Sequence, residues 1–595
     1  MGRTTTLGFF AVAAVLYGPS LGIGYLGDDF LYLEWLDQGF GELLRKLTVD
    51  SNPRVIRPLS TLGWTLTQLP AGGFLLHALS LGLHTLTALM VVVLIERSRR
   101  PASTSPSLEA TVCGLLFLAC PLLTEPVLWA SAHHDLWAAG LALGALALAS
   151  APGARRQLAA AICFALALLA KESVVVLPLV ALCWALAEPG NDGEAVRRPR
   201  WVPLSVVAGV YLLVRFALFG GLGGYLDPSG QSIARQFDPL TYLRNLGLQL
   251  PYRLAMPLKR AGDWTLPVLA ASSALLVATA LRARLGKRGT WPIPSLRRLA
   301  GALAAFLVAT APVAPVLSVD VDHGGGRLIY FPLAIALAGL GRALVGRPVE
   351  ARRALIVPLA LWLVLWVPIL LANTHSWRQA GREVRQTLDH LVETRDSWPS
   401  GATVWVDGND SWHGAYVWRN GFDFALRRAD LEPRRPFRLG TLAEDPEALS
   451  GGDLGRSVFQ IERDVEGRWH DQTPCLQALV GGATKAAASV AFDPQDVGGS
   501  TRHGALLTLE PGDAPVAVVL TTDGPTAGHL AWRHPGIPRF NVTERRPFRS
   551  LPGQPTWLLL PRTEAVEQLE LQIDLDPATT SGLQRIEIHR LPELH

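Results

Sequence analysis

Long apolar runs dominate the chain up to about Leu371, and beyond it short apolar and polar stretches alternate as they do in soluble proteins. A helix that crosses the hydrocarbon layer needs roughly 17 to 25 apolar residues. Such runs fall approximately at 6–25, 72–95, 108–124, 134–152, 157–171, 173–188, 201–219, 265–282, 297–317, 328–346 and 354–372, which predicts an α-helical polytopic membrane protein with about 11 transmembrane helices. The first run follows a single Arg3 and imitates a signal peptide. No small-residue cleavage site precedes Asp28, so an uncleaved first span is expected.

Short basic loops follow every even-numbered span: Arg97 to Arg100, Arg155–Arg156, Arg197 to Arg200, Arg282 to Arg288 and Arg347 to Arg353. Positive charge is retained on the cytoplasmic side, so the pattern predicts a cytoplasmic N-terminus. Residues 26–71, 125–133, the Lys171 turn, 220–264 and 318–327 then face outward. The amphipathic run 240–258, with Arg244 and Arg253 along it, would break this alternation if it crossed; it is read as a helix lying in the interface.

After Asn373 a charged helical connector, 379–399, leads into a domain at 400–595. There Leu569, Leu571, Ile573 and Leu575 alternate with Glu570, Gln572 and Asp574, the period of a half-buried strand. Further short runs at 402–406, 487–492, 504–509, 515–520, 556–560 and 584–588 suggest a strand-rich, β-sandwich-like extracytoplasmic domain, with 400–450 of mixed character. Trp405, Trp412, His413 and Trp418 could stack on sugars or pack a core. Asn541–Val542–Thr543 fits a glycosylation acceptor pattern, to which no role is assigned.

Of 595 residues, 49% are hydrophobic and 17% charged, which places the chain among membrane proteins. The net charge of +4 lies largely in the basic loops, so it reports topology rather than nucleic-acid binding. The five cysteines show neither a disulfide framework nor a zinc spacing.

The polar residues that call for an explanation recur on the expected outer side. Asp28 and Asp29 leave the first span as adjacent carboxylates, which suit a general base or a divalent metal, or else a solvated loop. Arg57, in the same outer segment as Arg54, carries a planar fork that matches phosphate oxygens; lipid head-group contact is the commoner use. His77 and His84, seven apart, share one face of the second span, where structural hydrogen bonding is the plainer expectation. The turn from Glu125 to His133, His134 and Asp135 has donors for a metal but no metal-binding spacing. Lys171 and Glu172 are most simply an ion pair with each other, or Lys171 helps to hold an anionic substrate. Asp320, Asp322 and His323 precede Gly324–Gly325–Gly326–Arg327, where backbone amides and Arg327 could meet an anion, or the glycines form a plain turn before Tyr330.

Taken in order, Gly27 to Phe30, Arg57–Pro58–Leu59, His77 with His84, Pro121 to Glu125, Trp129 to Asp135, Ala170–Lys171–Glu172 and Arg327 to Pro332 resemble the GT-C superfamily of polytopic glycosyltransferases. Within it the chain looks like the bacterial relatives of the protein O-mannosyltransferases and of the tetratricopeptide-bearing transmembrane O-mannosyltransferases. The resemblance covers nearly all of 1–378, the expected glycosyltransferase domain; the tetratricopeptide repeats are absent.

The resemblance implies an inverting glycosyltransferase, of hexosyl or mannosyl type, in the bacterial inner membrane. It would move a sugar from a polyprenyl-phosphate donor to a hydroxyl of a protein or glycan acceptor. The catalytic role would fall on Asp28 or Asp29, donor phosphate binding on Arg57, Lys171 and Arg327, and support on His77, His84, Glu125, Asp135, Glu172 and Tyr330. No cofactor is certain; a divalent metal is possible but not indicated. The rival class is a lipid-sugar flippase or transporter, which would place its polar groups near the midplane in paired broken helices.

Overall fold

The computed structural model describes residues 2–48, 54–98, 106–188, 200–221, 224, 238–255, 293–317, 324–345, 349–408, 411–412, 415–431, 437–440, 454–463, 468–480, 486–490, 494–497, 500–507, 516–522, 526–533, 545–551, 555–559, 569–575 and 583–590. The expected span 265–282, the loops at 197–199 and 282–288, Asp320, Asp322, His323, His413 and Asn541 to Thr543 lie outside these residues. The chain forms two compact units, Met1–Arg382 with His413–Tyr416, and Glu383–Trp412 with Val417–His595.

The first unit is helical: α1 (Arg3–Tyr17), α2 (Asp29–Asp37), α3 (Phe40–Lys46), α4 (Pro58–Trp64), α5 (Gly72–Glu96), α6 (Leu108–Leu118), α7 (Thr124–Leu128), α8 (His133–Ala149), α9 (Ala154–Ala170), α10 (Leu177–Ala187), α11 (Trp201–Phe219), α12 (Pro239–Arg244), α13 (Leu250–Ala255), α14 (Ile293–Thr310), α15 (Gly326–Leu344) and α16 (Val349–Thr394). Helix α5 packs against α1, α6, α8 and α15, and its Leu76, Val91, Val92 and Leu94 are fully buried. By contrast α11 presents exposed Val206, Val210, Leu213 and Phe216, as a helix facing hydrocarbon does. Gly339 lets α15 approach α14 closely, since a Cβ there would meet Ala302.

Among the described residues five helices are long and apolar enough to cross a membrane: Gly72–Glu96, Trp201–Phe219, Leu296–Val316, Gly326–Leu344 and Leu359–Thr394. A bent pair, Leu108–Leu118 with Pro121–Leu128, makes six if its 47° break lies within one span. We read the chain as an integral membrane protein; among the described residues five or six spans meet this test, which does not confirm the expected number of about 11, and the expected span 265–282 lies outside these residues. Of the other apolar helices, α8 and α9 have 17 residues each, α1 has 15 and α10 has 11, all shorter than these five. The expected interfacial segment is helical over α12 and α13, joined by a π-turn at Asn245–Gln249, with Leu240, Leu243 and Leu248 exposed.

In the second unit, β1 (Thr403–Asp407) lies between β4 (Phe437–Leu439) and β5 (Val458–Arg463), parallel to both, and β6 (Trp469–Asp471) closes the sheet antiparallel to β5. Helices α17 (Phe422–Arg428) and α18 (Thr473–Val480) accompany it, so this part is α/β rather than sandwich. The short β2 (Ser411–Trp412) and β3 (Ala415–Tyr416) intervene. Downstream are β7 (Ala486–Val490), β8 (Pro494–Val497), β9 (Ser500–Leu507), β10 (Val516–Thr522), β11 (Thr526–Arg533), β12 (Arg545–Ser550), β13 (Pro555–Leu559), β14 (Leu569–Leu575) and β15 (Leu583–Arg590). They form two antiparallel sheets, in the orders β13-β10-β15-β7 and β12-β11-β14-β9-β8. Trp405 and Trp418 are buried, Trp418 edge-on to Phe422 at 5.0 Å, which is core packing rather than a sugar platform.

Candidate active site

The acidic pair begins α2. Asp29 occupies its first turn, where a carboxylate complements the helix dipole, and is fully buried. One oxygen accepts from Leu26 N at 2.9 Å, and the other from Ser131 N at 2.7 Å and from the Ser131 hydroxyl. Burial drives the Asp29 carboxyl up from the ordinary aspartate range to about 7, against the Ser131 and Leu26 hydrogen bonds that favour the ion, while the nearby Asp28 charge adds to the rise. Asp28, one residue earlier, is half-buried and does not cap the helix with its side chain. Two further ties fix this loop. His77 Nε2 donates to Gly24 O at 2.8 Å, and Trp129 Nε1 donates to Leu26 O at 3.3 Å.

The three cations expected to hold a phosphate each meet a carboxylate. Arg57, buried just before α4, grips Glu172 with both ends of its fork, Nε at 3.1 Å and Nη2 at 2.7 Å. Lys171 Nζ lies 2.5 Å from Asp135 Oδ1. Arg327 Nε stands 3.5 Å from Glu125 Oε1, with its guanidinium 5.0 Å above the Trp129 ring. The expected Lys171–Glu172 pair is therefore not formed. Lys171 is extended, at φ −160° and ψ 137°, so consecutive side chains point to opposite sides. Burial opposes charge on Glu172, yet Arg57, Arg215 and Lys171 outweigh it and bring that carboxyl down to about 2.

The glycines before Arg327 do bring a backbone amide to an anion, but that anion is the protein's own. Gly326 presses against the Leu122 carbonyl, and Arg327 N donates to Glu125 Oε2 at 3.1 Å. Tyr416 donates its hydroxyl to Glu125 Oε1 at 3.0 Å. One turn along α15, the Tyr330 hydroxyl lies 2.8 Å from His84 Nδ1, while His84 Nε2 faces the Leu118 carbonyl at 3.1 Å. A carbonyl only accepts, so Nε2 carries the proton and Tyr330 donates to Nδ1. His84 and Tyr330 thus brace α5 against α15. The Glu125 to Asp135 turn does not converge as a ligand set, because His133 bridges the Ala130 and Ser60 carbonyls at 2.6 and 2.8 Å. Among the described residues no group of three or more His, Cys, Asp or Glu side chains is placed to hold a metal ion.

Three residues of this constellation escape a reading of the sequence. Ser131 sits between two alanines and carries no mark of its role. Tyr416 lies 291 residues downstream of Glu125, the carboxylate it donates to. Arg215 did carry a signal, being an ionisable residue within the apolar run of α11; it is buried and donates to Tyr211 OH at 3.1 Å and Arg54 O at 3.2 Å.

No protein-family model matches the chain, and neither does any curated protein. Among solved structures it is similar to the arabinofuranosyltransferase AftD from mycobacteria, at 12% identity and a TM-score of 0.42 over 100% of this chain and 60% of that one. It is also similar to the oligosaccharyltransferase of Archaeoglobus fulgidus in complex with zinc and sulfate, at 10% identity and a TM-score of 0.35 over 97% of each chain. A second structure of that enzyme, tethered to an acceptor peptide, matches at 12% identity and a TM-score of 0.33 over 79% of this chain and 74% of that one. The chain thus spans about three fifths of the AftD length. A likeness this distant fixes neither donor nor acceptor.

Proposed function

We propose that the chain is an inverting glycosyltransferase that takes a sugar from a polyprenyl-phosphate donor and passes it to an acceptor hydroxyl on the outer face of the membrane. The observation that carries this reading is the division of labour in the acidic pair, at the same helix ends as Arg57, Lys171 and Arg327. Asp29 has both oxygens engaged and no exposed surface, so it positions the loop. Asp28, half-buried beside it, is the base.

Asp28 takes the proton as the acceptor oxygen attacks the anomeric carbon. The bond from that carbon to the phosphate oxygen breaks with its electron pair staying on the phosphate, and a single displacement inverts the centre. Arg57, Lys171 and Arg327 offset the charge that grows on the leaving phosphate. A donor whose isoprenoid stays in the bilayer accounts for a site at helix ends. The acceptor is a protein or a glycan.

The test is transfer of radiolabel from polyprenyl-phosphate sugars to a membrane extract by the purified protein in reconstituted membranes. Asp28→Asn is expected to lose at least about a hundredfold in turnover, the usual scale for removing a general base. Full transfer by this variant would refute the assignment. Label that crosses the bilayer unchanged, equally in the variant, would make the protein a flippase.

A further inference from the structure

Residues His413–Tyr416 belong to the first compact unit although the chain on both sides of them belongs to the second. What this short return delivers is one aromatic ring. Tyr416 lies edge-on to Trp129, centroids 4.6 Å apart at 62°, and to Trp377, at 5.9 Å and 90°. Trp129 is itself shared between the two parts of the candidate site: its indole N–H holds Leu26 O next to the acidic pair, and its face carries the Arg327 guanidinium.

The Tyr416 hydroxyl adds a second link. It donates to Glu125 Oε1 at 3.0 Å, the same oxygen that Arg327 Nε approaches only to 3.5 Å, beyond a good hydrogen bond. The other oxygen, Oε2, takes the Arg327 backbone amide at 3.1 Å. Glu125 is thus supplied with donors by groups other than the Arg327 guanidinium. A buried carboxylate that lacked the phenol would draw that guanidinium in as its nearest alternative donor.

We propose that Tyr416 is a positioning residue of this site. Its hydroxyl occupies Glu125 and so keeps the Arg327 guanidinium over Trp129, directed at an anionic phosphate rather than collapsed onto the carboxylate. The proposal rests on the reading of Arg327 as a phosphate-binding cation. It makes a residue from beyond the helical part a determinant of donor affinity, through one hydrogen bond.

Tyr416→Phe keeps the ring on Trp129 and Trp377 and removes only the hydroxyl. The probe is undecaprenyl phosphate, titrated in detergent micelles against the full chain, with transfer kinetics alongside. Tyr416→Phe is expected to weaken binding about five- to tenfold, the net scale of one ordinary hydrogen bond acting through Arg327, and to raise the donor KM alike with kcat within twofold. Arg327→Met weakens binding, and adding Tyr416→Phe to it changes nothing further, because the phenol acts through Arg327. A Tyr416→Phe affinity within twofold of wild type overturns the proposal, as does an effect that persists in full on the Arg327→Met background. If the wild type binds and these ratios hold while no sugar is transferred, the enzymatic reading falls and this one stands. If the wild type does not bind undecaprenyl phosphate, both fall.

Discussion

Asp29 offers a measurement that separates positioning from catalysis. Its carboxyl is raised from 3.8 to about 7 by burial, so the folded state holds a proton there that the unfolded chain has lost. The sign follows from linkage: an acid with a raised folded value contributes stability at low pH, and that contribution is lost as pH rises through the folded value. Between pH 5 and pH 8 about two units of the shift are titrated, worth about 3 kcal/mol at 1.36 kcal/mol per unit. With an unfolding entropy of about 2.1 cal/mol/K per residue over a unit of about 390 residues, this is about 4 °C in midpoint. The assay is intrinsic-fluorescence melting of wild type and Asp29→Asn in one detergent across that pH range. Asparagine cannot titrate, so the difference between the two proteins isolates Asp29. The wild type is expected to lose about 4 °C relative to the variant from pH 5 to pH 8. A flat difference would show that Asp29 does not titrate there, as it would if Ser131 and Leu26 stabilised the ion more than burial opposes it.

Two further substitutions follow from the same geometry. Glu172→Gln leaves Arg57 and Arg215 without their counter-ion and is expected to cost about 3 kcal/mol at pH 7, read as a lower melting midpoint. Since that carboxyl is held down to about 2, the cost is fully present above the ordinary glutamate value and shrinks as pH falls towards 2; a cost that stays level down to pH 3 would argue against the ion pair. Gly326→Ala puts a Cβ against the Leu122 carbonyl, and because backbone has to move, a loss of about 3 kcal/mol or more is expected; unchanged melting would show that the α15 start is not pressed on Leu122.

The candidate site was legible in the sequence as a set of residue types, because charge at the end of an apolar run is costly unless it pairs or works. Its pairing was not. Arg57 and Glu172 are 115 residues apart, Lys171 and Asp135 36, and Glu125 and the Arg327 amide 202, so only the fold brings them together. Adjacency misled at Lys171 and Glu172, where extended backbone sends the neighbours apart. Hydropathy marked where the helices lie, but it averages over breaks such as the 47° bend between Leu118 and Pro121 and does not report where a helix stops short, as α1, α8, α9 and α10 do. In the downstream part the period-two alternation located β14, and the short apolar runs fell on β1, β7, β9, β10, β13 and β15. It was silent about pairing direction, and hence about the parallel strands around β1.

The pairing also bears on how such a site would work. A cationic pocket built for phosphate but left uncompensated would be costly before any donor arrived. Here Arg57, Lys171 and Arg327 are each balanced by Glu172, Asp135 and Glu125, so the empty site avoids that cost while keeping the cations fixed. On the proposed reading the donor is a phosphodiester with one negative charge, and the departing polyprenyl phosphate gains a second as the glycosyl bond breaks. A positive potential at the site acts on each charge alike, so the departing dianion gains about twice what the donor monoanion gains. Stabilisation that grows along the reaction lowers the barrier, whereas equal stabilisation of donor and transition state would not. The carboxylates beside the cations therefore lower the cost of holding three positive groups together, and the positive potential that remains favours the departing phosphate over the donor because it acts on two charges instead of one.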